Sequence, residues 1–192
     1  MRKSLITLML ILTTTFSFAT ENKMSDTQNQ VKLTTSMGDI VIQLNAEKAP
    51  ISTENFLTYV KEGFYAGTIF HRIIPSFMAQ GGGFDTDFNQ KEVHDSIKNE
   101  ADNGLRNTRG SLAMARTPDP DSATAQFFIN LKDNSFLDYT SPTPNGWGYA
   151  VFAEVIEGMD IVDAMAGVTT GNRGHHQDVP KEDIIIEKAE IL

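Results

Sequence analysis

Most hydrophobic positions of the chain alternate with polar ones, as they do in half-buried β-strands. Residues 31–35 and 40–44 both alternate, and the pattern predicts a hairpin that turns at Gly38 and Asp39. Further strands are predicted over residues 69–75, 77–80, 112–115, 126–131, 149–155 and 184–192. Because these strands do not alternate regularly with helices, the pattern predicts an antiparallel sheet or barrel.

Two segments have the hydrophobic spacing of a helix. The first begins at Pro50, which suits the first turn of a helix, and ends at Gly63. The second covers residues 159–165 and stops at Gly167. Residues 84–110 are polar and predict a long surface loop, a kind of segment that often has a function.

The N-terminus has the pattern of a secretory signal peptide. Two basic residues precede a hydrophobic run over residues 5–18, and small residues lead up to Ala19. The run is shorter than the roughly 20 residues that a membrane span needs. We therefore expect cleavage after Ala19 and a periplasmic or secreted protein. An uncleaved membrane anchor is one alternative, and translation from Met24, which would give a cytoplasmic protein, is another.

These boundaries divide the chain of 192 residues into three parts. Residues 1–19 are the predicted signal peptide, residues 20–30 a flexible polar lead, and residues 31–192 a single domain, because no repeat and no linker follows. With 40% hydrophobic and 21% charged residues, the composition is that of a globular protein that can bury its own core.

Composition and motifs exclude several functions. The chain has no cysteine, which excludes disulfides, thiolate catalysis and iron–sulfur clusters, and an exported domain with an adequate core needs no disulfide. A net charge of -9 argues against a nucleic-acid partner. The sequence also lacks a nucleophile elbow, a Walker loop and an H-E-x-x-H motif.

Two weaker motifs suggest metal binding, and both have simpler explanations. Asp119 and Asp121 alternate as in a calcium loop, but the glycine and the closing glutamate are missing. The adjacent His175 and His176 would point in opposite directions on an extended segment, which disfavours a shared metal ion. We therefore expect neither a metal nor another cofactor.

Three segments combine strand patterns with side chains that a core does not require. Residues 70–83, FHRIIPSFMAQGGG, place Arg72 among hydrophobic residues, where exposure to solvent is as good an explanation as a function. Residues 125–131, AQFFINL, put Phe128 between two amide side chains on one face, as in a core or the floor of a groove. Residues 111–116, SLAMAR, end in small residues and a charge, as the wall of a groove would.

These three segments resemble the signature blocks of the cyclophilins, the peptidyl-prolyl cis-trans isomerases. The similarity extends from about Val31 to Leu192, and residues 146–160, GWGYAVFAEVIEGMD, resemble the bacterial branch. The resemblance implies a mainly β fold, a closed eight-stranded antiparallel β-barrel capped by two α-helices. The hydrophobic pattern alone predicts only an antiparallel β-rich domain.

The resemblance also implies the residues of an active site. Arg72 is the expected catalytic arginine, supported by Phe77, Gln80 and Phe128. The substrate-binding positions are Met78, Ala115, Arg116, Gln126, Phe136, Leu137 and Tyr149. Phe136 and Tyr149 stand where the best-known eukaryotic members have tryptophan and histidine. Because Phe136 lacks an indole N–H, the resemblance implies weak binding of cyclosporin.

The chemistry of the X–Pro bond explains why an arginine would be needed. The bond rotates over a barrier of about 20 kcal/mol because the prolyl nitrogen shares its lone pair with the carbonyl group. At the twisted transition state the nitrogen regains that lone pair and accepts a hydrogen bond. A guanidinium aimed at it therefore stabilises the transition state more than the planar ground state.

Two functions remain open at this point. The first is an isomerase that assists the folding of exported proteins, acting as a monomer on proline-containing and unfolded polypeptides, without a nucleic-acid or membrane partner. The second is a peptide-binding module or holdase chaperone that uses the groove with little catalysis. Arg72 favours the isomerase, because a groove that only binds peptides does not need the arginine.

Overall fold

The computed structural model describes residues 29–192, which form eleven β-strands and two α-helices. The strands are β1 (Gln30–Thr35), β2 (Gly38–Leu44), β3 (Thr68–Ile69), β4 (Arg72–Ile74), β5 (Met78–Gly81), β6 (Ser111–Met114), β7 (Phe127–Asn130), β8 (Val151–Glu157), β9 (Thr170–Arg173), β10 (His176–Pro180) and β11 (Ile185–Ile191). The helices are α1 (Pro50–Lys61) and α2 (Met159–Ala166). The predicted signal peptide and most of the predicted lead lie outside the described residues.

Nine of the strands form one antiparallel sheet in the order β3-β11-β1-β2-β8-β6-β7-β5-β4. The two outermost strands, β3 and β4, are separated in the chain only by Phe70 and His71. The sheet must therefore curl until its edges lie close together. The predicted mainly β fold with two helices is confirmed, although the sheet is a strongly curled one of nine strands rather than a fully hydrogen-bonded closed barrel of eight.

The core fills the inside of this curled sheet. The alternating residues of β1 and β2, such as Leu33 and Ile40, are fully buried, as the hydrophobic pattern predicts. Phe56 of α1 packs against Tyr65 and Phe127 with ring centroids 5.0 and 5.6 Å apart. Side chains of this size each contribute about 1.5–3 kcal/mol when fully buried. Neither helix in residues 29–192 is long and apolar enough to cross a membrane.

The helix predictions are confirmed, whereas the predicted hairpin turn is displaced by two residues. The turn lies at Ser36 and Met37, because the Thr35 hydroxyl accepts the N–H of Met37 and donates to the carbonyl of Gly38. Gly38 begins β2 with a φ of 137°, and a Cβ at this position would lie 2.8 Å from the Ile161 side chain of α2. The positive φ directly after the turn therefore favours glycine, and the close approach of α2 leaves little room for a side chain.

Residues 84–110 are only partly the surface loop that their polarity predicts. Asn99, Glu100 and Asn107 are buried. The Glu100 carboxylate accepts the backbone N–H groups of Ile51 and Ser52 at 3.0 and 2.7 Å, so it caps the N-terminus of α1. This segment is therefore part of the fold, and its polar side chains satisfy backbone groups of other elements.

Candidate active site

Three of the predicted catalytic residues form one row across adjacent strands. Arg72 of β4 pairs with Gln80 of β5, and Gln80 pairs with Phe128 of β7. Side chains of directly paired residues lie on the same face of a sheet. Their neighbours Ala79 and Phe127 belong to the main core, so the row lies on the opposite, outer face.

A small second hydrophobic cluster covers the outer face beside this row. Met78, Phe128 and Leu137 are its site members and are at most 8% exposed, and Ala113 and Val151 complete its buried part. Such burial means that the apolar floor of the site is already packed without a ligand.

Loops that flank the row close it into a pocket of about 140 Å³. Phe77 comes from the turn between β4 and β5, Leu137 from a short 3₁₀ helix, and Tyr149 from the residues before β8. The residues that line the pocket are Arg72, Phe77, Met78, Gln80, Ala115, Arg116, Phe128, Leu137 and Tyr149. The structure thus brings together all the predicted site residues except two, which lie beside the pocket.

Gln126, the first exception, lies just outside the pocket and orients Gln80. Its side-chain oxygen accepts a hydrogen bond of 3.0 Å from the Gln80 amide nitrogen. A Cβ at Gly83 would lie 2.4 Å from the Cγ of Gln126, so only glycine at this position leaves room for the Gln126 side chain. Phe136, the second exception, is 69% exposed and stacks on Phe77 at a centroid distance of 5.6 Å. It therefore forms the rim of the site rather than its wall.

The Arg72 guanidinium faces this pocket with its donors unused. It is half-buried, and within residues 29–192 it makes no ion pair and no side-chain hydrogen bond. An arginine presents five fixed N–H donors and stays protonated at every physiological pH. The site therefore offers a permanent hydrogen-bond donor above an apolar floor.

Comparisons with known proteins show to which family the chain belongs. The family model described as cyclophilin type peptidyl-prolyl cis-trans isomerase/CLD matches residues 30–191. The chain belongs to the cyclophilin family. It is 62% identical to a peptidyl-prolyl cis-trans isomerase of Streptomyces antibioticus, over 84% of this chain and 98% of that protein. It is 60% identical to peptidyl-prolyl cis-trans isomerase B of Escherichia coli strain K12, over 82% and 96% of the two chains.

The solved structures agree with the sequence matches. A cyclophilin type peptidyl-prolyl cis-trans isomerase of Cryptosporidium parvum, crystallised in the presence of the dipeptide Ala-Pro, superposes with a TM-score of 0.69. It is 25% identical and covers 85% of this chain and 98% of its own. The present chain is thus a cyclophilin-type peptidyl-prolyl cis-trans isomerase, as the three sequence segments predict.

The cyclophilin site also depends on asparagines that sequence reasoning missed. The Asn134 amide donates to the carbonyl of Phe77 at 2.9 Å. The Asn107 amide donates to the carbonyls of Leu137 and Tyr149 at 3.2 and 3.3 Å. These two buried side chains hold three wall-forming loops in place. The only sequence signal was the frequency of asparagine in otherwise polar segments.

His71, the residue before Arg72, is buried and neutral. Burial, and then electrostatic repulsion from His176 and Arg72, lower its pKa to about 4. Its Nδ1 atom is buried without a hydrogen-bond partner among the described residues. His71 therefore adds no positive charge beside Arg72 at neutral pH.

The residues of the two motifs that suggested metal binding make other contacts in the structure. The Asp119 carboxylate accepts the N–H of Asp121, and the Asp121 carboxylate accepts the N–H of Asn99. His175 and His176 are both exposed, and the ring of His176 packs against that of Phe88 with centroids 4.9 Å apart. In the part of the chain that the structure describes, no group of three or more His, Cys, Asp or Glu side chains is arranged to hold a metal ion.

Proposed function

We propose that this isomerase binds the proline ring over Met78, Phe128 and Leu137 and that Arg72 catalyses the rotation. The single observation that supports this most strongly is the row Arg72, Gln80 and Phe128, which places an unused guanidinium directly beside an apolar floor. In the same proposal, Gln80 holds the peptide backbone next to the proline.

Arg72 acts on the prolyl nitrogen. In the planar ground state that nitrogen has no free lone pair, so the guanidinium gains little from it. As the bond twists, the lone pair localises and accepts an N–H of Arg72. A hydrogen bond to a charged group contributes about 1.5–3 kcal/mol, which corresponds to one to two orders of magnitude in rate.

The rest of the acceleration comes from positioning. Phe128 is held by the edge of the Tyr149 ring at 5.6 Å, and Gln80 is held by Gln126. With the proline ring fixed on this rigid floor, only the preceding carbonyl is free to rotate. No proton is transferred and no covalent intermediate forms, so the mechanism requires only binding and one charged donor.

The relative from Cryptosporidium parvum supports the substrate class, because its structure was determined in the presence of Ala-Pro. The N-terminal pattern over residues 1–19 supports a periplasmic or secreted location and a role in the folding of exported proteins. N-terminal sequencing of the protein purified from its own host tests this location. A first residue of Thr20 supports export with cleavage, whereas Met1 or Met24 contradicts it.

A holdase chaperone that uses the same groove is the competing function. Two activities of wild-type protein and Arg72→Ala separate the possibilities: isomerisation of an Ala-Pro peptide, and suppression of aggregation of an unfolded proline-containing protein. The proposal expects Arg72→Ala to lose isomerisation at least ten-fold. If neither protein isomerises the peptide faster than the uncatalysed rate while both suppress aggregation equally, the holdase is supported instead.

A further inference from the structure

We propose that this site prefers X–Pro segments that carry an acidic side chain within two residues of the proline, and that Arg116 binds that carboxylate. The inference rests on the proposed function and names the substrate class of the same pocket. It starts from the distribution of charge around the site.

The pocket is basic although the protein is acidic. The net charge of the chain is -9, yet the only charged side chains that line the pocket are Arg72 and Arg116. An adjoining pocket shares Arg72 and Gln80. Neither pocket is lined by an aspartate or a glutamate. A concave surface lined by charges of one sign raises the local concentration of ligands of the opposite sign.

Contacts with neighbouring groups hold the Arg116 side chain in a fixed orientation. Its Nε donates to the carbonyl of Gly148 at 2.8 Å, and one terminal nitrogen donates to the carbonyl of Thr117 at 2.9 Å. The guanidinium carbon lies 4.6 Å from the centre of the Tyr149 ring. The other terminal nitrogen, Nη2, has no hydrogen bond to any described residue. The guanidinium is therefore oriented before a ligand arrives and keeps donors for it.

The acidic groups nearest to Arg116 in the sequence do not neutralise it. Asp119 and Asp121 accept backbone N–H groups within their own loop and at Asn99. By contrast, Arg109 pairs with Asp163 at 2.7 Å. Within residues 29–192 neither arginine of the pocket has an ion-pair partner. A carboxylate on the substrate would supply the missing partner.

The simpler alternative is that Arg116 only supports Tyr149. In that case its replacement lowers the activity toward every peptide by the same factor. If Arg116 instead binds the carboxylate, its replacement changes the ratio of kcat/KM between an acidic peptide and its neutral isostere. This ratio does not depend on the overall activity.

The test uses capped alanine peptides with one proline, in which Glu or Gln replaces a single alanine. Four positions are tested in turn: the two before the proline and the two after it. Isomerisation is followed by NMR exchange with wild-type protein, Arg116→Gln and Arg106→Gln. Arg106 is an exposed arginine that lines a separate recess, so its variant has the same change in net charge outside the site. For at least one position, we expect wild type and Arg106→Gln to favour Glu over Gln by about two- to five-fold in kcat/KM. Arg116→Gln should bring this ratio close to one.

A second measurement does not depend on any variant. The wild-type preference for Glu should fall toward one as salt is raised to about 0.5 M, because screening shortens the range of the attraction.

A ratio at or below one at all four positions overturns the inference, and so does a preference that Arg116→Gln retains in full. If wild type catalyses none of the peptides, the proposed function itself fails. Activity without an acidic preference contradicts the inference alone.

Discussion

Replacing Asn134 by alanine should destabilise the protein through its effect on one wall of the active site. The Asn134 amide donates to the Phe77 carbonyl at 2.9 Å and to the Asn130 side-chain oxygen at 2.7 Å. The side chains of Asn130 and Asn134 are both completely buried. The variant removes both hydrogen bonds and leaves the Asn130 oxygen without its donor.

The magnitude follows from these contacts. Two hydrogen bonds contribute about 1 kcal/mol each, and an unpaired buried oxygen costs about 1–3 kcal/mol. The Phe77 carbonyl keeps a second donor, the N–H of Leu131 at 2.9 Å, which limits the damage there. The variant also removes the Asn134 Oδ1 atom, which is buried without a hydrogen-bond partner among the described residues. We therefore expect Asn134→Ala to lower the free energy of unfolding by about 1–3 kcal/mol.

Equilibrium unfolding in urea measures this loss, and Asn172→Ala is the matched control. Asn172 is exposed in β9 and makes no side-chain hydrogen bond with a described residue, so its variant should stay within about 0.5 kcal/mol of wild type. Because Asn134 also fixes the position of Phe77, kcat/KM should fall in Asn134→Ala and not in the control. If Asn134→Ala loses no more stability than Asn172→Ala, the hydrogen bonds of Asn134 do not stabilise the protein, which refutes the reasoning.

Three further variants test other parts of the structure. Gly83→Ala should cost about 1–3 kcal/mol in urea unfolding because its Cβ would overlap Gln126, and adding Gln126→Ala should recover most of that loss; no recovery would contradict the overlap. Because the native pKa of His71 is lowered to about 4, the unfolded chain binds the proton first, so stability present above about pH 6.5 is lost as pH falls toward 4. Between pH 6.5 and pH 4, the free energy of unfolding of His71→Gln should therefore fall by about 3 kcal/mol less than that of wild type. Urea unfolding at both pH values measures the two falls, and equal falls would contradict this role of His71. Phe136→Trp, which restores a donor at the exposed rim, should tighten cyclosporin binding by about two- to ten-fold in calorimetry, and unchanged affinity would show that the indole N–H is not what the site lacks.

The grouping of the candidate site residues could be predicted from the sequence because these residues lie in short, contiguous segments. Arg72 and Gln80 are eight positions apart in one segment, and the tight connection between β4 and β5 pairs them directly. Phe128 lies in the next strand of the sheet, in register with Gln80. The resemblance identified the segments, and the antiparallel register explains why their side chains meet.

Other features could not be predicted, because their causes are distant in the sequence. Glu100 is buried because it caps a helix that begins fifty residues earlier, and polarity alone assigned it to the surface. Strands β9 and β10 were missed because most of their residues are polar and only Val179 and Pro180 are buried, so no hydrophobic alternation marks them. The hairpin turn was misplaced because Gly38 does not lie in the turn itself but follows it and begins β2.

The role of Arg72 is the central claim, and the exchange rate of a bound peptide tests it most directly. NMR exchange on an Ala-Pro peptide at saturating protein separates rotation on the protein from binding, for wild type, Arg72→Lys and Arg72→Ala. The account predicts that the rotation rate on the protein falls by one to two orders of magnitude in Arg72→Ala, with Arg72→Lys between the two and peptide affinity changed far less. An unchanged rotation rate in Arg72→Ala, with only weaker peptide binding, would contradict it.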